Sequence, residues 1–488
     1  MKFNQYTWSL YKQSPDGQKA IQEFEDAKKH CSEIELLCKY NPAISKDFNR
    51  DKLADIFETL WAYKVSEYEN INIHSLDDAK RIYEEIISCG ISVEGESWIA
   101  NGDYDLTLEL IHEYSILLYY FNPEYFIPHL FIRRFFDLNK LADIFEIELP
   151  TIPKKSDYKA RCMYYWQLCE VFYQFRTENN LSPAELCAFL YNFVPNYIPK
   201  VRTDILKPTQ AWFIGGLISS EEKDLDTTFW QANPETKKGD ILIHYETSPI
   251  SAITCIWIAQ TDGVIDPFFH YYSNTYISSK IVIPHITLKD LQADKYFSKH
   301  PLVRKKFQGV NGWAMSSDDY YGLLQIIKEK GDDIDTLPKL YAPILPKNIT
   351  IAHERDVETQ LLEPLLNSMS WYENKDFIRQ LSIHAGRGHR IFPDYALHYD
   401  DKQNEEKAQV LIEAKLHMKN NREIEQAFLQ ARSYALLLES LVIILCDKDH
   451  LIVYEKGDSF DRDNYLKYYW ADLKNPDKFN ELKNMLNI

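Results

Sequence analysis

The sequence carries two strand-like runs near its C-terminus, FPDYALHY (392–399) and QVLIEAK (409–415), which are separated by an acidic turn. The alternation in the first run and the apolar stretch in the second predict the two strands of a β-hairpin. Residues two apart share one face of a strand, so Glu413 and Lys415 are expected on the same side, where Asp394 can meet them across the sheet. The hairpin therefore predicts two acids and an amine at neighbouring strand ends.

Two carboxylates beside a lysine suit the hydrolysis of a phosphodiester bond. That reaction uses a divalent ion to generate hydroxide and to neutralise the transition state, and Asp394 and Glu413 could hold this ion. Lys415 could then position the attacking water or stabilise the developing charge. An acid-x-Lys triplet alone carries little weight, because others occur in the chain, as in DAK at 26–28. The signal comes from the apolar run before Glu413 and the Pro-Asp of the partner strand, and the alternative is a solvated strand end with an incidental ion pair.

The hairpin and its flanking segments resemble the PD-(D/E)xK nuclease superfamily, and more closely the nuclease domain found at the start of type I restriction motor subunits. The resemblance covers about residues 350–455 and includes ETQLLEPLL (358–366), which is similar to the first helix of that family. It implies that Glu358 completes a metal site formed with Asp394 and Glu413. The expected ion is Mg²⁺, with Mn²⁺ able to substitute for it.

A predicted helix follows the hairpin at IEQAFLQARSYA (424–435) and carries Gln430 and Tyr434. These two residues are similar to the Gln-xxx-Tyr element of the same family, and their i, i+4 spacing puts them on one helical face near the strand ends. The resemblance implies that Gln430 orients the substrate, and the alternative is a surface glutamine. The apolar run LVIILCD (441–447) then predicts a buried strand.

A basic, glycine-containing loop, HAGRGHR (384–390), precedes the Pro-Asp strand. Glycines allow the backbone to approach a phosphate closely, and Arg387 and Arg390 could grip a DNA backbone. The alternative is an ordinary flexible basic turn.

Residues 206–331 show a different pattern of short β-like runs, AWFIGG (211–216), DILIHY (240–245) and AITCIWIA (252–259). Such runs, separated by turn signals, predict a small β-barrel or sheet domain. Together with FWQAN (229–233), they resemble the EVE-like branch of the PUA superfamily.

The second resemblance implies nucleic-acid binding, since several relatives hold one flipped or modified base in an aromatic pocket. A base out of the stack needs flat apolar walls and a few edge hydrogen bonds. The expected walls are Trp230, Tyr245 and Trp257, and the expected edge-reading groups are Asn233 and Ser248, whose side chains can both donate and accept. The alternative is that these aromatic residues are simple core.

The N-terminal residues 1–205 show apolar spacing near 3.6 residues and predict an all-α domain of unknown role. Within it, LSPAEL (181–186) has the signature of a helix start. Three prolines within 332–349 predict an extended linker. The expected fold is therefore a multidomain α+β protein, in which the all-α domain is followed by a central PUA/EVE-like β-barrel domain, the linker, and a C-terminal α/β restriction-endonuclease-like domain at 350–488.

The formal charge of −18 at pH 7 argues against a protein that coats nucleic acid nonspecifically, because phosphate binding draws on clustered Lys and Arg. Any nucleic-acid contact is expected to be local. No apolar run is long enough to span a membrane and the first residues lack an apolar signal core, so a soluble cytoplasmic protein is expected. The eight cysteines form no CxxC pair, which favours buried free thiols over zinc ligands or disulfides.

These patterns together favour a metal-dependent DNA endonuclease of a prokaryotic restriction or anti-phage system, in which the EVE-like domain recognises modified or flipped bases. Two alternatives stay open: a nuclease activated by a partner or signal that degrades DNA or RNA broadly, and a non-catalytic nucleic-acid reader whose nuclease fold is a scaffold. No GxxxxGK[ST] motif occurs, so any translocation would come from a separate ATPase or GTPase partner. A homo-oligomer is expected, because one such centre cuts one strand at a time.

Overall fold

A computed structural model of this protein describes most of the chain. The described residues are 2–30, 39–40, 50–68, 71–88, 91–93, 96–99, 103–198, 207–217, 227–343, 349–384, 390–403 and 405–486. The chain divides into two compact units: the first is Met1–Leu206, Phe213–Leu288 and Pro301–Trp313, and the second is Lys207–Trp212, Lys289–His300 and Ala314–Ile488. The three-domain division stays a prediction, and residues 344–348 of the expected linker lie outside the described residues.

Helices and strands both contribute to the fold, and helices dominate its N-terminal region. In chain order the helices are α1 (Gln5–Gln13), α2 (Pro15–His30), α3 (Arg50–Leu60), α4 (Leu76–Ser88), α5 (Tyr104–Glu109), α6 (Ile111–Phe121), α7 (Phe135–Phe145), α8 (Tyr158–Glu178), α9 (Pro183–Ala188), α10 (Val194–Tyr197), α11 (Leu288–Ala293), α12 (Pro301–Arg304), α13 (Ser317–Glu329), α14 (Glu354–Val357), α15 (Glu363–Ser368), α16 (Asn421–Leu437) and α17 (Pro476–Leu486). Short π-helical segments continue helices at Trp61–Val65, Phe189–Phe193 and Glu358–Leu362.

The strands belong to two larger sheets and two small hairpins. In chain order they are β1 (Ile91–Val93), β2 (Glu96–Ile99), β3 (Ala211–Gly215), β4 (Thr227–Gln231), β5 (Ile241–Glu246), β6 (Ala252–Ala259), β7 (Val264–Ile265), β8 (Ser273–Thr287), β9 (Trp313–Met315), β10 (Phe377–Arg379), β11 (Ile383–His384), β12 (Arg390–Ile391), β13 (Tyr395–Asp400), β14 (Lys407–Ala414), β15 (Val442–Cys446), β16 (His450–Glu455) and β17 (Leu466–Tyr469).

An aromatic core holds the helical region of the first unit together, with Trp8, Tyr165 and Phe189 each at most 2% exposed. Ser182 and Glu185 exchange the reciprocal hydrogen bonds of a capping box at the start of α9, as the helix-start signature predicted. The expectation of an all-α region is wrong in one respect, because β1 and β2 pair as an antiparallel hairpin within it. Strands of three and four residues are too short to give a readable alternation in sequence.

A curled antiparallel sheet contains the β-like runs of the central region. Its strand order is β4-β8-β6-β5-β3-β9, with β7 paired to β8, and the division between the two units falls within β3 and β9. The register shifts between His244 and Tyr245 and again along β6 and β8. Such bulges bend strands and increase their twist, which accounts for the curling. Whether this sheet belongs to the EVE-like branch stays a prediction.

One buried arginine ties the segment between β7 and β8 to α8. Arg161 in α8 is fully buried. Its guanidinium donates hydrogen bonds to the carbonyl oxygens of Pro267 (2.8 Å), Phe269 (2.6 Å) and Lys155 (2.9 Å). Phe268, between two of these carbonyls, packs against the helical core. Because a buried charge is tolerated only when its donors are satisfied, α8 and this segment hold each other in place.

A six-stranded mixed sheet, in the order β10-β13-β14-β15-β16-β17, forms the centre of the second unit. Strands β13 and β14 form the antiparallel hairpin predicted from the sequence, although β13 begins at Tyr395 rather than at Phe392. Strands β14 and β15 are parallel, and α16 supplies the crossover that a parallel pair requires.

Both faces of this sheet are covered. Val410 and Ile412 of β14 belong to a core cluster with α15 and α17, whereas Leu411 belongs to a cluster on the other face, where it packs with Phe428 of α16. Glu413 shares the face of Leu411 because the two residues are two apart in the strand. Burial of both faces explains why the run before Glu413 is continuously apolar rather than alternating.

Within the described ranges, no helix is long and apolar enough to cross a membrane. The cysteines that the structure describes as free are all buried, as predicted: Cys162, Cys169, Cys187, Cys255 and Cys446.

Replacement of Arg161 by methionine should destabilise the first unit, because it leaves the three carbonyl oxygens without their donors in a buried site. We expect a loss of about 3 kcal/mol in the free energy of unfolding, measured by urea unfolding. The matched control is Arg81→Met, since Arg81 is 62% exposed and pairs with Glu85 at the surface, and its effect should stay within about 0.5 kcal/mol. Equal effects of the two substitutions would contradict the anchoring role of Arg161.

Candidate active site and aromatic cavity

The structure brings Asp394, Glu413 and Lys415 together at one edge of the second unit's sheet. Asp394 immediately precedes β13, Glu413 lies in β14, and Lys415 directly follows β14. The Nζ atom of Lys415 lies 3.4 Å from Oε2 of Glu413 and 4.0 Å from Oδ2 of Asp394. The backbone N–H of Ala414 donates to Oδ2 of Asp394 at 2.8 Å, which fixes the carboxylate beside the strand end.

Glu413 is the most deeply buried acid of this cluster, with 1% of its surface exposed. Its Oε2 accepts hydrogen bonds from Lys415 and from Nε2 of Gln430 (3.2 Å). No donor reaches its buried Oε1 among the described residues, and the protonated carboxyl group shares a hydrogen bond with Asp394. Burial, and then the nearby charge of Asp394, raise the pKa of Glu413 to about 8. The carboxyl group therefore holds its proton at neutral pH unless a cation takes the place of that proton.

Lys415 carries the positive charge of the site. Burial acts to lower the pKa of Lys415, but the carboxylates of Glu413, Asp394 and Glu354 outweigh burial and raise this pKa above its ordinary value. The side chain is 26% exposed, so its ammonium group can reach a bound substrate. The lysine therefore stays protonated and is available to contact an anion.

Two further acids lie on the helix in front of the cluster. Oε1 of Glu354 is 3.8 Å from Nζ of Lys415, and burial raises the pKa of Glu354. Glu358 instead accepts hydrogen bonds from Arg355 (2.6 Å) and from the hydroxyl of Tyr395 (3.4 Å). The sequence-based prediction selected Glu358 and missed Glu354. The spacing of four residues within one helix was the signal that could have indicated both.

The predicted metal set of Asp394, Glu413 and Glu358 is not assembled as one group. In the described part of the chain, no three His, Cys, Asp or Glu side chains are arranged to hold a metal ion. Asp394 and Glu413 do lie together, since a side-chain hydrogen bond joins their carboxyl groups and Nζ of Lys415 is within 4.0 Å of both. The fit of an ion to this pair is supported by the buried Oε1 of Glu413, which no donor reaches among the described residues.

Gln430 of α16 lies where the sequence predicted it, facing the strand ends. Its Nε2 contacts both Oε2 of Glu413 and, at 3.4 Å, the hydroxyl of Tyr434 one turn later. In this arrangement Gln430 orients the carboxyl group of Glu413.

Arginines other than the predicted ones stand beside Asp394. Arg387 lies outside the described residues, and the exposed Arg390 donates to Ser382 Oγ at 3.0 Å. A cavity of about 340 Å³ is lined instead by Arg355 and Arg379 together with Asp394, Glu358, Glu373 and Gln380. Both arginines pair with glutamates. In the sequence they look like ordinary charged residues of a helix and a strand, so the pattern did not indicate them.

A second cavity, of about 720 Å³, lies in the first unit, and five aromatic rings line part of it. The rings are Phe229, Trp230, Phe269, Tyr271 and Phe307. A flat, apolar wall of this kind can hold an unstacked base or another planar ligand.

Some of the residues expected in the base pocket line this cavity, and others belong to the framework, that is, they pack around the cavity without lining it. Trp230 lines the cavity, and Tyr245 stacks face to face on Phe307 at 3.9 Å between ring centroids. Trp257 is 1% exposed within β6, and Ser248 is an exposed residue before the cis Pro249; neither lines the described cavity.

Asn233 serves the framework too. Its Nδ2 donates to Gly312 O (3.0 Å), and its Oδ1 accepts from the backbone N–H of Glu235 (2.9 Å). Both ends of its amide are thus used in shaping the chain, and Asn233 does not line the cavity in the described structure.

Trp230 is held by a close approach of the backbone. Gly216 adopts φ +152°, and a Cβ added there would lie 2.8 Å from Cζ2 of Trp230. Nε2 of His244 contacts Gly216 O at 3.1 Å, and the His244 ring meets the Trp230 ring at 4.6 Å between centroids. Only glycine leaves room for the indole at this position.

The helical region of the first unit supports two of the cavity walls. The guanidinium of Arg133 lies 5.6 Å from the centroid of the Phe229 ring, and Phe229 meets Phe269 edge to face at 4.9 Å. The carbonyl of Phe269 is one of those held by Arg161. Sequence reasoning missed Phe229, Phe269, Tyr271 and Phe307, because nothing in the local pattern shows that separate segments meet at one cavity.

No protein-family model and no curated protein matches this chain. The solved structures that match include the NMR structure of Rpa0253 from Rhodopseudomonas palustris, at 12% identity, 26% of this chain and 99% of that chain, with a TM-score of 0.22. Another is the crystal structure of Atu2648 from Agrobacterium tumefaciens, at 16% identity, 27% of this chain and 97% of that chain, with a TM-score of 0.23. Similarity this weak carries no argument about fold or function.

The raised pKa of Glu413 gives the folded protein a specific pH dependence. Because the folded pKa of about 8 exceeds the unfolded value, the contribution of Glu413 to stability is complete below about pH 4.5 and is lost as the pH rises through 8. In the presence of a chelator at pH 9, the free energy of unfolding of Glu413→Gln should therefore exceed that of the wild type by about 1–3 kcal/mol. Urea unfolding measures this difference. At pH 5 the two proteins should differ little.

The matched control for this substitution is Glu439→Gln, since Glu439 is exposed and its pKa is lowered by its hydrogen bond with Lys407. Its urea midpoints should follow the wild-type dependence on pH between 5 and 9. A pH dependence of Glu413→Gln that matches the wild type would mean that Glu413 is not protonated in the folded state.

Proposed function

We propose that this chain is a metal-dependent phosphodiesterase that cleaves DNA, with its active centre at Asp394, Glu413 and Lys415. The observation that carries the proposal is the buried carboxyl group of Glu413, which lies against Asp394, with no donor to its Oε1 among the described residues and with Lys415 and Gln430 at its Oε2. A carboxyl group in this state is costly to bury, and a divalent cation bound to it would relieve that cost.

Asp394 and Glu413 would hold the ion, for which we propose Mg²⁺ or Mn²⁺. Two carboxylates suffice, since Mg²⁺ is commonly bound through one or two carboxylates together with waters and substrate phosphate oxygens. When bound, the ion would supply Lewis acidity toward the phosphate and lower the pKa of a coordinated water.

The residues of the chain would perform the remaining work. Lys415, charged and partly exposed beside both acids, would hold the attacking water or a phosphate oxygen. Gln430 would keep the carboxyl group of Glu413 oriented toward the site. Arg355 and Arg379, at the cavity next to Asp394, would contact the remaining phosphate oxygens once the substrate displaces their glutamate partners.

The aromatic cavity supports a reader of flipped or modified bases in the same chain. Its walls, Trp230 among them, offer several ring faces within about 720 Å³. Coupling base recognition to phosphodiester cleavage suits a prokaryotic restriction or anti-phage nuclease, which we propose as the biological role. A homo-oligomer and a separate ATPase or GTPase motor remain parts of this proposal.

A non-catalytic nucleic-acid reader is the second candidate. It is favoured by one observation, namely that no group of three acidic or imidazole ligands is arranged for a metal among the described residues. In that case the acids and Lys415 would be a structural ion-pair cluster at a strand end. The nuclease proposal is preferred because Lys415 and Gln430 both approach the buried carboxyl group of Glu413, where a cation could replace the proton that this group shares with Asp394.

Cleavage of labelled duplex DNA in Mg²⁺ or Mn²⁺ tests the nuclease proposal. Asp394→Ala and Lys415→Ala should each lower the rate by at least about 100-fold, because each removes charge from the transition-state site. Lys407→Ala is the control, since Lys407 lies at the opposite end of β14 and pairs with Glu439 at the surface. Undiminished cutting by the two site variants would reject the assignment, and absence of any metal-dependent cutting by the wild type would favour the non-catalytic reader.

Loss of the Trp230 ring should weaken recognition of a modified base without changing the cleavage of unmodified DNA. We expect Trp230→Ala to lower the affinity for the preferred duplex about 5- to 150-fold, which corresponds to one stacking contact. The measurement compares duplexes carrying cytosine, 5-methylcytosine or 5-hydroxymethylcytosine. Tyr6→Ala, which removes a 73% exposed ring of α1, is the control. Equal binding of all three duplexes by the wild type would contradict the reader role.

A further inference from the structure

A third cavity, which we call the lysine groove, lies at the same sheet edge as the candidate active site. Its volume is about 790 Å³, and it is lined by Lys419, Lys448, His450, Lys467, Tyr469 and Trp470, with Met418, Asp449, Ala471 and Asp472. None of these residues belongs to the catalytic cluster or to the aromatic cavity.

The sheet topology sets the distance between the groove and the active site. Strand β14 ends at Ala414 beside the end of β15, and the backbone N–H of Lys415 donates to Cys446 O at 2.8 Å. Strand β16 starts at the same edge, where His450 is paired with Tyr469 of β17. Three strand spacings therefore separate Lys415 from the far side of the groove, or roughly 14 Å. A nucleic-acid strand that enters the active site can span this distance within a few nucleotides.

His450 is a buried polar residue that lines the groove and is held in a fixed orientation. It is 6% exposed, and its Nδ1 lies 3.1 Å from Oδ1 of Asp447. Asp447 is itself fixed by the backbone N–H groups of Met418 (2.7 Å), Asp449 (2.8 Å) and His450 (2.9 Å). This arrangement commits Nδ1 to the carboxylate. Nε2 of His450 is buried and has no hydrogen-bond partner among the described residues.

The lysines of the groove are not neutralised by close pairing. Within the described residues, the ammonium groups of Lys419, Lys448 and Lys467 make no ion pair with a carboxylate within 4.0 Å. Two carboxylates also line the groove, and one of them, Asp472, is turned to the backbone N–H of Tyr469 at 2.9 Å. Against the two carboxylates, the three lysines leave the groove with a formal excess of one positive charge, in a chain whose net charge is −18.

We infer that the lysine groove binds backbone phosphates of the nucleic-acid strand that the active site cleaves, a few nucleotides from the scissile bond. The inference rests on the proposed function. Lys419, Lys448 and Lys467 supply the positive charge for charge-assisted contacts with the phosphate oxygens. Phosphate contacts of this kind fix the register of the strand and carry no base preference.

The test is the salt dependence of DNA binding by the full chain in chelator, measured by fluorescence anisotropy with a labelled duplex. The groove variant is Lys419→Ala/Lys448→Ala/Lys467→Ala. The matched control is Lys402→Ala/Lys407→Ala/Lys456→Ala, which removes the same charge from the opposite edge of the same sheet, near the ends of β13 and β16 and the start of β14. The lysines are changed rather than His450 because the buried imidazole also contributes to the fold.

The groove variant should lower the slope of log affinity against log salt by up to about 2.7, since each phosphate that a lysine neutralises contributes about 0.9 to that slope. The fall in affinity should be the same for modified and unmodified duplexes, and the control should keep the wild-type slope. Equal slopes for the groove variant and the control would overturn the inference, whether both fall or neither does.

Metal-dependent cleavage by the wild type, measured in parallel, separates the two proposals. If the wild type cleaves DNA but the groove variant keeps the wild-type slope, the inference about the lysine groove is overturned and the nuclease proposal is not. A reduced slope without any cleavage by the wild type overturns the nuclease and leaves the groove as a phosphate-binding surface.

Discussion

The candidate site of the second unit centres on one costly group, the carboxyl group of Glu413, which is buried at the end of a central strand. Burial penalises its charged form, so its pKa rises to about 8. Neighbouring side chains contact this carboxyl group or shift its pKa. Lys415 and Gln430 contact its Oε2, and the negative charge of Asp394 raises its pKa. An apolar residue at this strand position would carry no such cost. The chain has an acid there instead, and no donor reaches its Oε1 among the described residues.

The first unit contains a second buried charge, and it has a different consequence. Arg161 satisfies its donors with backbone carbonyls more than a hundred residues away, and in doing so it fixes the segment that presents Phe269 and Tyr271 to the aromatic cavity. The helical region thus has a physical role in the cavity, which its sequence did not indicate. A rigid wall raises affinity for a planar ligand, because less ordering is required on binding.

The distribution of charge is compatible with the polyanionic substrate that we propose for this acidic chain. The net charge of −18 repels nucleic acid at long range, but several positive groups lie at one edge of the sheet. They are Lys415 at the candidate active site, the arginines beside Asp394, and the lysines of the groove. At physiological ionic strength screening extends over about 8 Å, so these local cations act on a docked phosphate while distant acids are attenuated. Binding by such a surface is therefore local.

Local periodicity was enough to predict the β13–β14 hairpin, the helix that carries Gln430, and the proximity of Asp394, Glu413 and Lys415. Strand and helix periods fix which side chains share a face. The packing of distant segments, by contrast, brings Glu354 to Lys415 and turns Glu358 toward Arg355 and Tyr395. It also places Asn233 and Trp257 outside the lining of the aromatic cavity. The same holds for Phe307, Arg161 and the lysine groove. These arrangements join residues distant in the chain, and local patterns carry no information about which distant segments pack together.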